Sequence, residues 1–348
     1  MIPKADGSKR PLGIPTIRDR VAQMAVKLVI EPIFEADFCD NSYGFRPKKS
    51  APDAVHDIGY GLNCGYTDVI DADVSQYFDS IPHAKLLAVV AERIVDGGIL
   101  HIIRMWLKAP VVGEDEDGTR RNIGGGKANT QGTPQGGVIS PLLANRYLHL
   151  LDRLWKPQDL QRRLEARLVR YADDQVILID GYRKWDWLAR AAYKRLLEEL
   201  TKLDVRINIE KTRIVDLTRD ESFSLLGFDL CRRKTWQGKW GVRITPRIKA
   251  RSALLSKLKE VFRRFVSQPV GRVIELINPI LRGWVNYFRV GHSSRCFSYV
   301  RDWVEKKIRR YLMRARNRKG FGWNRWSRGW MYQSLGLYSD YQVRYFRS

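Results

Sequence analysis

Residues 167–179 read RLVRYADDQVILI, which predicts two apolar strands separated by a short acidic turn. The adjacent carboxylates of Asp173 and Asp174 repel each other and lose hydration, and burial raises that cost unless a cation compensates it. A hard divalent ion such as Mg²⁺ compensates it through oxygen ligands. By itself the motif favours an ordinary surface hairpin over a metal site, so other parts of the chain must decide between these two interpretations.

A second acidic strand changes the balance. Residues 66–74 alternate and then carry carboxylates, which predicts a strand that ends at Asp73. Phosphoryl transfer with two metal ions needs carboxylates from separate elements that hold the ions about 3.5–4 Å apart. Asp73 together with Asp173 meets that need. We interpret Asp71 and Asp79 as structural, Asp79 because it begins a helix-start pattern.

A glycine-rich stretch, QGTPQGGVISP at residues 131–141, directly precedes a predicted helix. Glycines let the backbone approach a base pair closely. Gln135 can then hydrogen-bond a nucleotide. The alternative is an ordinary loop with a helix cap. The stretch lacks the Gly-Lys-Ser/Thr ending of a phosphate-binding P-loop, so that class of site is not supported.

The positive charge is confined to one part of the chain. The net charge is +24, yet residues 1–230 hold 33 basic and 33 acidic residues, whereas residues 231–348 hold 29 basic and 5 acidic ones. Seven of the eleven tryptophans also lie in residues 231–348. Basic residues interleaved with large aromatics predict a nucleic-acid-binding surface with its own core. The alternative is a generally basic protein with no dedicated partner.

Composition excludes several classes of protein. With 348 residues, 44% of them hydrophobic and 29% charged, the chain is typical of two or three folded domains rather than of a disordered or collagen-like protein. No run approaches the roughly 18 apolar residues that span a bilayer, so no membrane association is expected. Residues 1–6 do not show a charged-then-apolar pattern, so no secretory signal is expected. The four cysteines form no CxxC pair, which argues against a zinc ribbon or disulfide scaffold and favours a reducing cytosol.

Periodicity predicts the remaining elements. Hairpins are expected over residues 1–15 and 112–123, and helices over 17–38, 81–94, 99–107, 140–155, 185–203, 247–266, 271–288 and 293–316. On the first of these helices one apolar face is expected to comprise Val21, Met24, Ala25, Leu28, Val29 and Ile33. Trp284 and Trp303 are interpreted as helix-packing residues.

These motifs, with others, resemble a group II intron-encoded reverse transcriptase. The three motifs above correspond to its motifs A, B and C at residues 73–79, 132–141 and 171–174. Further matches are KRPLGIPTIRDR at 9–20, SYGFRP at 42–47, NIEKT at 208–212, LLGF at 225–228 and RGWVNYF at 282–288. The resemblance covers essentially the whole chain. Each motif alone is weak, but their common order is very specific.

The resemblance implies an α+β right-hand polymerase. Fingers occupy residues 1–66, a palm with an antiparallel sheet and part of the fingers occupies 67–230, a helical thumb or maturase domain occupies 231–320, and a Trp-rich basic tail occupies 321–348. Family members usually carry an extension before the first fingers motif, so the fingers are expected to be N-terminally incomplete. Cutting of a second DNA strand is not expected, because no His-Asn-His endonuclease motif follows the thumb.

The resemblance also assigns roles to single residues. The catalytic carboxylates would be Asp73, Asp173 and Asp174, which with Val74 would hold two Mg²⁺ ions, with Mn²⁺ as the alternative metal. Substrate contacts would come from Phe78 beneath the incoming sugar, Gln135, the triphosphate candidates Arg10 and Arg18, and Lys211 as proton donor to pyrophosphate. For Lys211 a merely solvated lysine is the equal alternative. The nucleic-acid contacts would be Arg46, Gly227, Arg309, Arg310, Arg314, Arg316, Arg318 and Lys319.

The function implied is an RNA-directed DNA polymerase. It would extend a DNA primer on an RNA template with dNTPs, and it would bind structured intron RNA through shape and phosphates to assist splicing. A bacterial cytoplasmic protein associated with the nucleoid is expected, and its oligomeric state is open, a dimer included. One alternative is a non-enzymatic splicing factor, which predicts loss of the metal carboxylates. Another is a domesticated reverse transcriptase in phage defence, CRISPR adaptation or DNA repair.

Overall fold

The computed structural model describes residues 2–3, 9–10, 13–114, 117, 119–155, 166–181 and 187–344. They form two compact units, residues 1–216 and 217–348, which are treated separately. The units divide before the predicted palm–thumb boundary at residue 230. The reason is that the strands around residues 222–246 pair with one another rather than with the sheet of the first unit.

Unit 1 alternates helices and strands. In chain order its elements are β1 (Ile2–Pro3), β2 (Lys9–Arg10), α1 (Ile17–Glu35), α2 (Ala51–Asn63), β3 (Asp68–Asp73), α3 (Tyr77–Ser80), α4 (His83–Ala91), α5 (Gly97–Leu107), β4 (Val111–Glu114), β5 (Arg120–Gly124), α6 (Ser140–Leu154), β6 (Ala166–Tyr171), β7 (Asp174–Ile179), α7 (Trp187–Lys202) and β8 (Arg213–Asp216). The predicted hairpins and helices of this unit are confirmed within a few residues at each end.

The central sheet of unit 1 has the strand order β6-β7-β3-β8, with every neighbouring pair antiparallel. Its apolar, β-branched strands bury their side chains on the core that α6 and α7 cover. Because β3 lies between β7 and β8, its C-terminal end meets both the β6–β7 turn and the segment that leads into β8. The sheet therefore brings separate acidic motifs to one edge.

The apolar face predicted for α1 is wrong. The members of that set that lie exposed are Val21, Met24, Ala25, Leu28 and Val29. The helix instead buries Gln23, Ile30 and Phe34. The reason is a second apolar set on the helix, since Ile30 and Phe34 lie in the core and Val26 and Ile33 pack against it. The buried Gln23 is satisfied on the same side, because its Oε1 accepts a hydrogen bond of 2.8 Å from the backbone N–H of Val138 in the glycine-rich loop.

Unit 2 combines a small sheet with a helical bundle. Its elements are β9 (Ser222–Leu225), β10 (Phe228–Lys234), β11 (Trp240–Pro246), α8 (Ile248–Arg264), α9 (Val270–Phe288), α10 (Ser294–Arg314) and α11 (Arg328–Gln333). The strand order is β11-β10-β9. Helices α8 to α11 share one apolar core, and Trp284 and Trp303 pack against it, which confirms their packing role. None of the described helices is long and apolar enough to cross a membrane.

Candidate active site

Three aspartates meet at one end of the central sheet. In the antiparallel register of β3 and β7, Asp73 lies opposite Asp174, and Asp173 occupies the two-residue turn that joins β6 to β7. Burial, together with the neighbouring carboxylates of Asp173 and Asp73, raises the pKa of Asp174 to about 7. Burial likewise raises the pKa of Asp71 to about 6, against the opposing effect of Arg213. The protein itself leaves negative charge here undercompensated.

The segment before β8 brings a cation to this group. Val74 and Ile207 form an isolated antiparallel bridge, and the backbone N–H of Asn208 donates to the Asp73 carbonyl at 2.8 Å. These contacts place Lys211 so that its Nζ lies 3.3 Å from Asp73 Oδ2, although the lysine side chain is 66% exposed. Lys211 thus lies in a turn at the carboxylates, with most of its side chain exposed to solvent.

The acidic group is compatible with divalent ions but does not form a closed site. Among the described residues no three Asp, Glu, His or Cys side chains converge on a single ion position. Mg²⁺ is usually held by one or two carboxylates together with waters and substrate phosphates. Half-buried carboxylates with a raised pKa fit such an open arrangement, since a bound cation removes the cost of their shared charge.

Two of the predicted substrate residues, Phe78 and Gln135, lie in motif A and in the glycine-rich loop, which contact each other. Phe78 in α3 packs against the core and edge-to-face on Tyr77, with ring centroids 5.7 Å apart. Its carbonyl accepts from the N–H of Thr133 at 2.6 Å, which joins motif A to the glycine-rich loop. In that loop the Nε2 of Gln135 donates to both carboxylate oxygens of Asp79 at 3.0 Å. Asp79 therefore orients Gln135, and its predicted role as a helix start is wrong.

Helix α4 begins at His83 after Pro82, without a side-chain cap. The glycine-rich loop is fastened to this helix start, since His83 Nε2 lies 2.7 Å from the Gly132 carbonyl. Gly132 has a φ of +89°, and a Cβ there would lie 3.0 Å from the Asp79 carbonyl oxygen. A glycine is required at this position both for the backbone conformation and for the close approach to motif A.

Of the two triphosphate candidates, Arg10 and Arg18, only Arg18 has a side chain that the structure describes. Arg18 lies exposed in the first turn of α1. The backbone of Arg10 lies in β2, but its side chain falls outside the described residues. The N–H of Gly13 donates to the Gln135 carbonyl at 2.8 Å, so Gly13 lies against the glycine-rich loop.

Arg46 does not serve as the predicted nucleic-acid contact. Its side chain is buried, it pairs with Glu35 at 2.6 Å, and Nη1 donates to the carbonyls of Cys39 and Ser42. A guanidinium whose donors are taken inside the protein cannot offer them to phosphate. Arg46 instead holds the SYGFRP loop against the end of α1.

Arg309, like Arg46, does not serve as the predicted nucleic-acid contact. It is buried on α10, lies 3.6 Å from Glu305, and its Nε donates to the Trp326 carbonyl. The remaining basic residues of that set lie exposed: Arg310, Arg314, Arg316, Arg318 and Lys319. Gly227 has a φ of +81° and lies in the turn between β9 and β10. Consecutive residues fall on different faces of a helix, so the apolar repeat of α10 is the signal that could have separated Arg309 from Arg310.

A basic cleft of about 400 Å³ lies in unit 2 between α8 and α10. We call the cations that line it the cleft cations; they are Lys259, Arg263, Lys307, Arg310 and Arg314. Among the described residues no acidic side chain lines this cleft. Partial burial lowers the pKa of Lys307, and the nearby charges of Arg310 and Lys259 lower it further. The cleft gathers positive charge as the sheet edge of unit 1 gathers negative charge.

Comparison with known families identifies the chain. Residues 2–230 match the model described as reverse transcriptase (RNA-dependent DNA polymerase), and residues 251–329 match the group II intron maturase-specific domain. The chain belongs to the reverse transcriptase family. The predicted family, its α+β class and its RNA-directed DNA polymerase class are thereby confirmed, and the maturase-specific match falls on the helical unit.

Individual relatives agree with this family. Protein YkfC of Escherichia coli K12 is 35% identical over 283 residues, covering 72% of this chain and 71% of that protein. The group II intron-encoded protein LtrA of Lactococcus lactis is 27% identical over 371 residues, covering 83% of this chain and 60% of LtrA. Apo telomerase from Candida tropicalis aligns with a TM-score of 0.47 at 12% identity, over 79% of this chain and 50% of that one. Because this TM-score is low, the assignment to the reverse transcriptase family rests on the family matches alone.

Proposed function

We propose that this reverse transcriptase copies RNA into DNA by phosphoryl transfer at the carboxylates of Asp73, Asp173 and Asp174. The observation that carries the proposal is the β3–β7 register, which sets Asp73 opposite Asp174 beside the Asp173 turn. Retention of all three carboxylates favours an enzyme over a non-enzymatic splicing factor. Carboxylates from separate elements at one strand edge are what phosphoryl transfer with divalent ions requires.

Two Mg²⁺ ions, or Mn²⁺ in their place, would be held by the three aspartates with Val74 nearby, and would supply positive charge to the attacking 3′ oxygen and the leaving pyrophosphate. The chain's own residues do the rest. Phe78 excludes a 2′ hydroxyl from the sugar position, and Lys211 donates a proton to the departing pyrophosphate. Gln135, oriented by Asp79, contacts the template or the incoming nucleotide.

Unit 2 would hold structured intron RNA while the RNA supplies the splicing chemistry. The cleft cations and the exposed Arg316, Arg318 and Lys319 offer charge to phosphates, and the release of condensed counterions drives such binding. DNA primer and dNTPs would be the further partners of unit 1. The predicted nucleoid association belongs to the same proposal, since intron RNA and chromosomal DNA meet there.

Primer extension with a matched surface control tests the polymerase proposal. On an RNA template with a DNA primer, dNTPs and MgCl₂, we expect Asp173→Asn to lower the extension rate by roughly three orders of magnitude or more, because a metal ligand is lost. The control Asp204→Asn removes an exposed carboxylate of unit 1 that pairs with Lys85 Nζ at 2.6 Å, and it should extend normally. Normal extension by Asp173→Asn would show that the catalytic site lies elsewhere.

A further inference from the structure

The turn that carries Asp173 has an unfavourable backbone conformation. Ala172, its first residue, has a φ of +56° although it is not a glycine. Left-handed backbone at a residue with a Cβ is strained and persists only where the surroundings impose it. The contacts that impose it here also determine where Asp173 and Asp174 point.

Arg170 imposes it from within the core. Its side chain is fully buried, and all five of its N–H donors are used. Two bind the carboxylate of Asp152, from Nε at 2.8 Å and from Nη2 at 2.5 Å, and a third runs from Nη2 to Ser42 Oγ at 2.7 Å. The last two leave Nη1 for Asn145 Oδ1 and for the carbonyl of Ala172, each at 3.0 Å. The strained residue is thus hydrogen-bonded to a guanidinium that cannot rotate.

The SYGFRP loop holds the same turn from the other side. A Cβ on Gly44 would lie 2.3 Å from the backbone nitrogen of Ala172, so only glycine lets the two backbones meet. The Gly44 carbonyl is fixed by Nδ2 of Asn145 at 2.6 Å, and the N–H of Tyr43 donates to the Arg170 carbonyl at 2.9 Å. Asn145 therefore links both supports.

Helix α6 carries Asn145 and Asp152, seven residues apart and hence on one face. The same helix begins at Ser140, whose hydroxyl donates to the Pro134 carbonyl at 2.9 Å in the glycine-rich loop. One rigid element is therefore the reference for both the nucleotide-side loop and the acidic turn.

Stability alone does not account for this arrangement. Asp152 and Arg170 are both fully buried, and replacing such a pair with apolar residues of similar volume is often neutral or stabilising. What apolar residues cannot supply is a donor at the Ala172 carbonyl. We infer that the Arg170–Asp152 pair, with Asn145, is a positioning device that fixes the Ala172 turn so that Asp173 and Asp174 can bind divalent ions. This inference rests on the metal-binding role in the proposed function.

The test replaces the pair with apolar residues. The double variant Arg170→Met with Asp152→Leu is expected to fold, as measured by its thermal midpoint. We expect it to bind Mn²⁺ about 10–100-fold more weakly in an electron paramagnetic resonance titration with primer–template present, which is the usual effect of losing a supporting shell. The Mg²⁺ concentration for half-maximal extension should rise in parallel, and the amides of residues 171–174 should exchange hydrogen faster.

The matched control lies on the same helix. Arg146 is buried beside Asn145 but pairs with Glu92 at 2.9 Å and with Asp37 at 3.4 Å, away from the turn. Arg146→Met should lower the thermal midpoint while leaving Mn²⁺ affinity and exchange at residues 171–174 as in the parent protein. If both variants lose Mn²⁺ affinity in proportion to the fall in their thermal midpoints, the Arg170–Asp152 pair contributes only to stability, and the inference is overturned.

Other outcomes also decide it. A folded double variant with parental Mn²⁺ affinity and parental exchange overturns the inference. Should the double variant not fold, Asn145→Ala takes its place, with weaker Mn²⁺ binding again the supporting result and parental binding the contradicting one. If the parent protein shows no extension, the polymerase proposal fails on its own. Mn²⁺ titration and amide exchange then still decide whether the pair positions the turn, because neither needs catalysis.

Discussion

The acidic sheet edge of unit 1 and the basic cleft of unit 2 both bring like charges together, but they have opposite sign and are built differently. Each gathers like charges that the protein leaves undercompensated. The carboxylates of the edge are half-buried and fixed by strand register and a held turn. The cleft cations extend from the surfaces of two helices. Fixed geometry suits a small ion with strict ligand distances, whereas long side chains on helices suit an extended polyanion whose phosphates need no single arrangement.

The two regions should therefore respond differently to salt. Exposed charges are screened over a Debye length of about 8 Å at physiological ionic strength, and partly buried ones are screened much less. RNA binding through unit 2 is expected to weaken steeply as salt rises. Divalent-ion binding at the sheet edge is expected to change less over the same range. The following predictions test that contrast.

The largest effect is expected at Lys211, the cation of unit 1 that contacts Asp73 at 3.3 Å. If Lys211 donates a proton to pyrophosphate, Lys211→Gln should lower the single-turnover extension rate by about 10²-fold, the usual contribution of a general acid. Lys211→Arg should be nearly as slow, because a guanidinium keeps the charge but does not give up a proton. Rapid-quench kinetics on a primer–template measures both.

The matched control for this prediction is Lys85→Gln. Lys85 also forms an exposed ion pair, with Asp204, and such pairs contribute roughly 0–1 kcal/mol to stability. Its loss should leave the extension rate unchanged. Full activity in Lys211→Arg would contradict proton donation and assign Lys211 a purely electrostatic part at the acidic edge.

The next effect concerns the cleft. Neutralising Lys259, Arg263 and Lys307 with glutamine should weaken binding of structured intron RNA by roughly one to two orders of magnitude. The log–log salt slope should become shallower by about 2–3, because each lost phosphate contact removes about 0.7–0.9 from it. Filter binding at four salt concentrations measures both. Primer extension at saturating primer–template should be retained, which separates this region from the acidic edge.

A charge-matched variant shows whether the cleft matters or only the total charge. Arg316, Arg318 and Lys319 lie beyond α10 and do not line the cleft, yet they remove the same three charges when replaced by glutamine. We expect their loss to weaken RNA binding less than the loss of three cleft cations. Equal effects would show that unit 2 binds RNA through its net charge and that the cleft has no special part.

The sequence indicates the carboxylates of the candidate site more clearly than the residues that support them. Asp73, Asp173 and Asp174 were identifiable because carboxylates next to apolar strands conflict with burial unless a ligand resolves the conflict. Arg170 shows the same conflict, a charge inside the apolar strand LVRY, but its partner Asp152 is 18 residues away on a helix. Only the packing of α6 on the sheet shows that the two charges meet.

The fold was predictable where one periodicity is strong, and prediction failed where two apolar sets compete on one helix, as in α1, or where alternation is short. The long helices of unit 2 followed their apolar repeats. The strands β9 to β11 were not predicted, because β9 is short and β10 alternates between buried and partly exposed residues only in its first half, before Arg232 and Lys234. Arg46 illustrates the limit for function. Sequence alone cannot separate an arginine that offers its donors to phosphate from one that pairs with Glu35.

The smallest effect is expected at Phe78, which supplies a reference free of charge effects. Its ring is half-buried and packs against the core, so Phe78→Val removes side-chain volume at the proposed sugar barrier without altering any charge. We expect the rate of rNTP incorporation relative to dNTP to rise by about tenfold, because a steric barrier to the 2′ hydroxyl is removed. Because the barrier is steric, the change in the ratio should be the same at low and high salt, and at limiting and saturating Mg²⁺.

Tyr77→Phe is the control: it removes only the hydroxyl that donates to the Ala144 carbonyl at 2.7 Å, and it should leave the ratio unchanged. An unchanged ratio in Phe78→Val, with a lowered thermal midpoint, would instead make Phe78 a core residue. A ratio that shifts with salt or Mg²⁺ would show that the sugar is selected through the charges of the acidic edge.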